Sequence, residues 1–571
     1  MGKTRQPIGI RPWSFRKGEA GLSGPVSLLL IVAPACFLFL FFFYPLGSVM
    51  IGGLRDHEGR LSFVRVARLL GDAYYLRIIG FTVKQAVLST LLSVAIGLPG
   101  AYLLARYEFV GKRLIRALTT VPFVLPSIIV VLGFVRVFGN NGLVNRFLMA
   151  TFHLDDPPLR ILYSLRGILL AHAFYNFPIC VRIVSSLWAR IHPGTEEAAR
   201  SLGAHGIRLF WNTTLRQILP GILSAAALIF IFCLLSFAVV LVLGGGPRHA
   251  TIEVEVYRLT KVSLDLATGS ALAIIGACLS LISLYIYVRL QHWSGFSERM
   301  GSNSDKPRLS SVLHSPLGVF FVSYLFLMAV VILAPMASVL AYSFQERTGW
   351  RLQHVSVEWY RRILSATGPY LRAVLNSLLF GGMTVALSVP VGTLLAYVLC
   401  RSRTVWKHVA EAVVMLPIGV STIMLGLGYL IAYQRLPWRM VGSWYAIVFA
   451  HSVIAYPFVI RVLTATLRKI SLALREAASS LGAGPWQIFR YLELPLSKSA
   501  LVTGAAFSFG ISVGEINATL MLYDPDLVTI PVVIYRLISS YNFIGACAMG
   551  SVLIVFCLIA FLIIDHAGGD I

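Results

Sequence analysis

Acidic side chains are scarce in this chain: 24 Asp and Glu stand against 48 Lys and Arg in 571 residues. Charged residues of both signs make up only 13%, where a soluble domain carries roughly a quarter. That shortage excludes an ordinary soluble domain. Cysteine is sparse as well, with Cys36, Cys180, Cys233, Cys278, Cys400, Cys547 and Cys557 lying mostly inside or at the ends of apolar runs and never as Cys-x-x-Cys. They read as small hydrophobes, not as a disulfide or metal framework. A phosphate-binding loop is missing too, since it needs Gly, four residues, then Gly-Lys-Ser/Thr. Gly2-Lys3-Thr4 has no upstream glycine, and Gly111-Lys112 is followed by Arg113. The chain is therefore not expected to bind ATP through such a loop.

What is abundant is apolar residue, 57% of the chain, with a mean hydropathy of +0.80. Runs of about 20 apolar residues are long enough to cross a bilayer as helices, which satisfy their own backbone hydrogen bonds in lipid. The expected fold is all-α and polytopic, with about 12 transmembrane helices as two homologous six-helix halves. The spans are placed near 26–50, 79–105, 114–138, 161–186, 218–243 and 268–290, then near 316–343, 373–399, 408–433, 441–466, 498–520 and 544–564. Lys and Arg cluster in short loops at alternate span ends, the positive-inside pattern, so the basic excess points to membrane lipid and not to nucleic acid. Lys3, Arg5, Arg11, Arg16 and Lys17 precede the first span, which places the N-terminus in the cytoplasm, and an even number of spans brings the C-terminus to the same side. Pro34-Ala35-Cys36 resembles a lipoprotein cleavage site, but the apolar run continues through Phe43 and reads as a retained span.

The two halves align. "AYLLAR" (Tyr102, Arg106) matches "AYVLCR" (Tyr397, Arg401) 295 positions later, as Pro122 and Gly133 match Pro417 and Gly428. "AHAFYNFPICVR" matches "AHSVIAYPFVIR" 279 positions later, pairing His172, Pro178 and Arg182 with His451, Pro457 and Arg461. The first half thus carries about 16 extra residues around "NNGLVNRF" and "HLDDPP". With an even number of spans in each half, the repeat is parallel, about an axis along the membrane normal. The divisions are 1–293, a cytoplasmic linker at 294–315, and 316–571.

Each half holds one polar island, "EEAARSLGA" and "REAASSLGA", in loops near 191–216 and 470–495. The second reads as a helical hairpin: Glu476, Ala477 and Ala478 favour helix, Gly482 suits a left-handed helix end, and Pro485 opens a second helix. Trp486, Ile488, Phe489, Tyr491 and Leu492 give that helix more apolar surface than a loop washed by water carries. A lone island would fit a helix lying on lipid headgroups; two symmetric ones suit a partner with two equivalent sockets.

The spacing Glu-Ala-Ala, three residues, Gly, nine residues, an aliphatic, one residue, Leu-Pro resembles the signature of permease subunits of type I ABC importers. The second copy fits with Glu476-Ala477-Ala478, Gly482, Leu492, Leu494 and Pro495; the first fits at Glu197-Ala198-Ala199, Gly203 and Leu215, with Thr213 and Arg216 as departures. Pro220 is expected to supply a displaced helix start there. The resemblance spans nearly the whole chain and implies that the islands are coupling helices. It implies two copies of a cytoplasmic ABC ATPase as partners, ATP and Mg on those partners and no cofactor or metal on this chain, an extracytoplasmic solute-binding protein, and the bacterial cytoplasmic (inner) membrane as location. A secondary transporter of 6+6 architecture is the remote rival. It would place coupling carboxylates near the membrane centre, whereas Glu411 lies near a basic span end and Glu515 is the one notable intramembrane exception.

Glu515 and Asn517 follow the second island's span, and Ser236 is the counterpart of Glu515 at 279 positions. These three are the candidate gate or pathway residues, with helix packing as the alternative role for Glu515. The outer segments "GGGPRHATIEVEVY" and "YDPDLVTIPVVIY" share Thr-Ile and a terminal Tyr, as equivalent gate or docking segments would. In its fusion of two permease domains the chain resembles the ferric iron and thiamine branch of these importers. "SFAVVLVLGGGP" with "TIEVEVY" is similar to thiamine permeases, which favours thiamine or its phosphates as solute, with ferric iron as the alternative.

Overall fold

The computed structural model describes residues 25–56, 58–191, 193–293, 307–309, 315–348, 351–365, 368–401, 407–434 and 440–568. Most of the linker at 294–315 lies outside them. Among the described residues ten helices are long and apolar enough to cross a membrane, or 12 with each of two bent helix pairs taken as one span. The chain is helical almost throughout. One small antiparallel hairpin, Gln345–Thr348 with Arg351–Val355, follows the seventh span, Pro316–Ser343.

The spans expected to be continuous are broken at matching places in both halves. The third is Lys112–Val124 and Ser127–Phe138, interrupted before Pro126. Its counterpart, Val409–Gly419 with Thr422–Tyr433, bends by 94°. The fifth runs Leu215–Leu234, breaks, and resumes as Ala238–Leu243; its counterpart runs Lys498–Gly514 and resumes as Asn517–Leu522. The segments on either side of the breaks are apolar on average, Glu515 at the last of them being the exception, so a hydropathy reading joins what the backbone separates. The segments beginning at Thr251 and Thr529 are themselves helices, Ile252–Lys261 and Ile530–Ser539, on the face opposite the islands. The additional residues of the first half form the helix Leu143–Phe152. Buried Asn145 pins that insertion, donating to the Gly139 and Leu159 carbonyls at 2.9 and 2.8 Å and accepting from the Leu159 amide at 3.0 Å.

The halves interlock through their first spans. Pro45 of the first span lies against Gly428 in the second half, where an added Cβ would stand 2.7 Å from the Pro45 carbonyl oxygen. Pro335 of the seventh span lies equally close to Gly133 in the first half, 2.6 Å from an added Cβ. Between membrane helices, where lipid is as apolar as the packing partner, such small-residue approaches supply the association. Hydrogen bonds add to the first of these crossings. The Tyr429 hydroxyl donates to the Phe41 carbonyl at 3.0 Å, and the Tyr433 hydroxyl donates to the Leu40 carbonyl. Both carbonyls lie in or beside a π-helical turn, Phe39–Phe43, in the first span.

Candidate coupling and gate sites

Each island is a helical hairpin closed by a left-handed glycine. The first helices are Pro193–Ser201 and Leu472–Ser480. Gly203 and Gly482 follow at φ +83° and +86°, with nothing within 4 Å of where a Cβ would stand. In both, two hydrogen bonds complete the turn: the Gly203 amide donates to the Arg200 carbonyl (2.9 Å) and Ala204 to Ala199 (3.0 Å), as Gly482 does to Ser479 (3.0 Å) and Ala483 to Ala478 (3.0 Å). This pairing of a three-residue and a five-residue return is the Schellman helix ending. At the tips, Leu202 and Leu481 are each 89% exposed. Glu197, Ala198, Glu476 and Ala477 are exposed, whereas Ala199 and Ala478 are half-buried. The Glu197 and Glu476 carboxylates make no hydrogen bond or ion pair among the described residues, so they do not hold the loop's own amides.

The second island helices, Gly206–Leu209 and Pro485–Ile488, each pass into a five-residue π-helical turn, Phe210–Thr214 and Phe489–Glu493. A π turn reproduced at the same repeat position marks a functional segment more often than a defect. Beyond it the halves differ. With Pro495 in place, the chain bends by 71° between Trp486–Leu496 and Lys498–Gly514. With Arg216 in the matching position, helix continues through Leu234, and Pro220 lies inside it instead of starting a displaced one.

The islands are fastened to the ends of the second and eighth spans, Ala73–Arg106 and Pro369–Arg401. Arg106 pairs with Glu196, whose Oε1 also accepts from the Thr214 hydroxyl at 3.0 Å. Arg401 pairs with Glu493, and Arg475 Nε stands 3.8 Å from the same carboxylate oxygen. Aromatic contacts run alongside: Tyr397 meets Phe489 edge-on at 4.9 Å, while Tyr102 reaches Phe210 through Trp188 at 5.1 and 6.3 Å. Tyr102 aligns with Tyr397 and Arg106 with Arg401 in the sequence, but their roles are not visible there, because their partners lie some 90 positions away.

At the broken fifth and eleventh spans, each half centres on a buried histidine. His172 bridges Ser89 (Nδ1, 3.0 Å) and Ser236 (Nε2, 2.8 Å). His451 bridges Ser512 (2.8 Å) and Thr519 (2.9 Å), and its Nε2 stands 3.8 Å from Glu515. Ser236 and Glu515 thus occupy matching places beside matching histidines. Glu515 caps the helix Asn517–Leu522, its carboxylate accepting from the amides of Asn517 (3.1 Å), Ala518 (3.2 Å) and Thr519 (3.1 Å). Asn517 donates to Thr422 at 3.0 Å, at the start of the helix after the neighbouring break. A hydrogen bond joins the halves here: Ser421 donates to buried Glu253 of the segment Ile252–Lys261. The repeated histidines, like Glu253, were visible as letters, but their bonding was not.

Two parallel six-span halves, broken at matched spans and each presenting one helical knob on the same face, define a duplicated transport subunit of the membrane. The chain belongs to the family described as binding-protein-dependent transport system inner membrane component, whose model matches residues 97–294 and 388–568. It is 28% identical over 514 residues to the thiamine transport system permease protein ThiP of Brucella abortus (strain 2308), covering 87% of this chain and 89% of that one. It is 27% identical to the protein of the same description from Escherichia coli (strain K12), covering 87% and 90%. To the ferric transport system permease protein FbpB of Actinobacillus pleuropneumoniae it is 26% identical, covering 95% and 78%. The chain is a multi-pass permease of a binding-protein-dependent ABC importer.

Proposed function

We propose that this permease carries thiamine or its phosphates inward across the bacterial inner membrane, driven by two copies of a separate ABC ATPase docked on the two islands. The observation that carries the energetic half of this reading is the pair of island hairpins. They share one glycine-closed geometry, expose one leucine each at the tip, and are fixed to span ends by ion pairs. A matched pair of rigid knobs suits a two-fold partner, and ATP with Mg²⁺ is held by that partner. The basic loops on the island face put it in the cytoplasm by the positive-inside rule. The opposite face, with the segments Ile252–Lys261 and Ile530–Ser539, receives the loaded binding protein.

Alternating access follows from the breaks. Closure of the ATPase dimer moves the knobs, the knobs move the spans they are fastened to, and the broken fifth and eleventh spans re-pair beside His172 and His451. Ser236 on one side and Glu515 with Asn517 on the other make the two flanks of this gate chemically unequal, as suits an asymmetric solute. The solute assignment draws its support from the thiamine permeases among the relatives; the ferric relative supports iron as the second reading. Proteoliposomes holding the permease and its ATPase, supplied with ATP and the cognate binding protein, discriminate the two. Uptake of labelled thiamine is expected, and uptake of ferric iron without thiamine would overturn the assignment.

A further inference from the structure

The two ion-pair clusters under the islands are built from the same three positions with their charges exchanged. Arg106 and Arg401 are repeat partners 295 positions apart, and each ends a long span. The position on the first island helix is Glu196 in one half and Arg475 in the other, 279 apart. The position at the π turn is Thr214 in one half and Glu493 in the other, also 279 apart. In the first half the carboxylate therefore comes from the first helix and accepts from the π turn. In the second half it comes from the π turn and faces an arginine on the first helix. Each cluster joins three segments: the span end, the first island helix and the start of the helix that re-enters the membrane.

The carboxylates are well shielded, Glu196 at 12% and Glu493 at 1% side-chain exposure. A charge withdrawn from water that far is held in place by its partner, since losing the partner leaves it uncompensated. One carboxylate at either of two positions gives the same three-way closure. What is common to the halves is the closure and not the residue at any one position.

We infer that Arg106 with Glu196 and Arg401 with Glu493 are positioning pairs that weld the coupling islands to the ends of the second and eighth spans, and that the carboxylate can stand on either island helix. The inference rests on the proposed role of the islands and names the route by which their motion reaches the membrane. Without the weld, the island would pivot on its own turn and ATP would be hydrolysed without moving the spans.

The test moves the second half's arrangement into the first. Glu196→Arg places two arginines together with no carboxylate; Glu196→Arg with Thr214→Glu recreates the Arg401, Arg475 and Glu493 set. The first readout needs no partner: amide hydrogen exchange over 193–201 in the purified full-length chain. The single variant is expected to exchange about tenfold faster, equivalent to about 1.4 kcal/mol of lost local protection, and the double variant to return to the parental rate. The second readout is solute imported per ATP hydrolysed in proteoliposomes, expected to fall about tenfold in the single variant and to recover in the double. Parental exchange in the single variant, or no recovery in the double, overturns the weld. If the single variant fails to reach the membrane, the double must restore both its yield and its exchange rate, and failure to do so overturns it equally. A shift and recovery in exchange with no change in transport per ATP would keep the weld and refute the coupling role of the islands.

Discussion

Replacing Gly482 by valine should uncouple the second island while leaving the spans intact. The glycine sits at φ +86° with open space around its missing Cβ, so the penalty is one of backbone conformation and not of collision. An L-residue in that region costs roughly 1–2 kcal/mol, and β-branching adds to it. Relief of the strain means opening the turn and giving up the Gly482-to-Ser479 and Ala483-to-Ala478 hydrogen bonds. A cost of about 2 kcal/mol shifts the aligned knob by about 30-fold against misaligned forms, yet falls short of what would unfold a packed membrane domain. The assay is recovery of the ATPase on the tagged permease, alongside ATP-driven solute uptake and yield in the membrane. Valine should lower recovery and uptake at parental yield. Asparagine, which tolerates the left-handed region, should retain most of both. Gly203 has φ +83° and the same open surroundings, so its valine variant should suffer the same local strain. If Gly482→Val binds its ATPase and transports like the parent, the reasoning from rigid knobs is refuted.

Gly428→Leu drives a side chain into the Pro45 carbonyl, 2.7 Å from the new Cβ, and should destabilise the purified chain by about 1–3 kcal/mol or more; an unchanged melting temperature in detergent would contradict the interlocked first spans. Glu515→Ala removes the acceptor of three amides, two of them buried, and should lower thermal stability, because each buried orphaned donor costs about 1–3 kcal/mol. Glu515→Gln keeps an acceptor oxygen and should fold, so reduced uptake in that variant assigns the charge to the pathway, and parental uptake assigns the residue to capping alone.

Much of the architecture was legible because membrane solvation and gene duplication both leave simple marks. Apolar runs place the spans, and offsets of 295 and 279 reveal the repeat and the insertion that Asn145 later secures. Gly203, Gly482 and Pro485 announce the island turns through their own backbone preferences. The breaks at 235–237 and 515–516 were hidden, since a hydropathy average over the mostly apolar helices around each one does not register a reversed ψ, even where Glu515 and Asn517 interrupt the run. Charge partnership was hidden for another reason. Arg106 and Glu196 are far apart in sequence, and the exchange of Glu196 with Thr214 for Arg475 with Glu493 breaks the column-by-column likeness on which the repeat was recognised. Pro220 misled because a proline near a helix start often begins one, while here the helix from Leu215 already runs through it.

Coupling requires that the islands be the surface gripped by the proposed ATPase. A photo-crosslinking amino acid placed at Leu202 or at Leu481, the two exposed tips, tests it in the assembled complex. Each position is expected to give an adduct of the permease with one ATPase chain, reduced when Gly482→Val is combined with the Leu481 probe. Adducts with lipid alone at both positions, in a complex that still imports its solute, would contradict it.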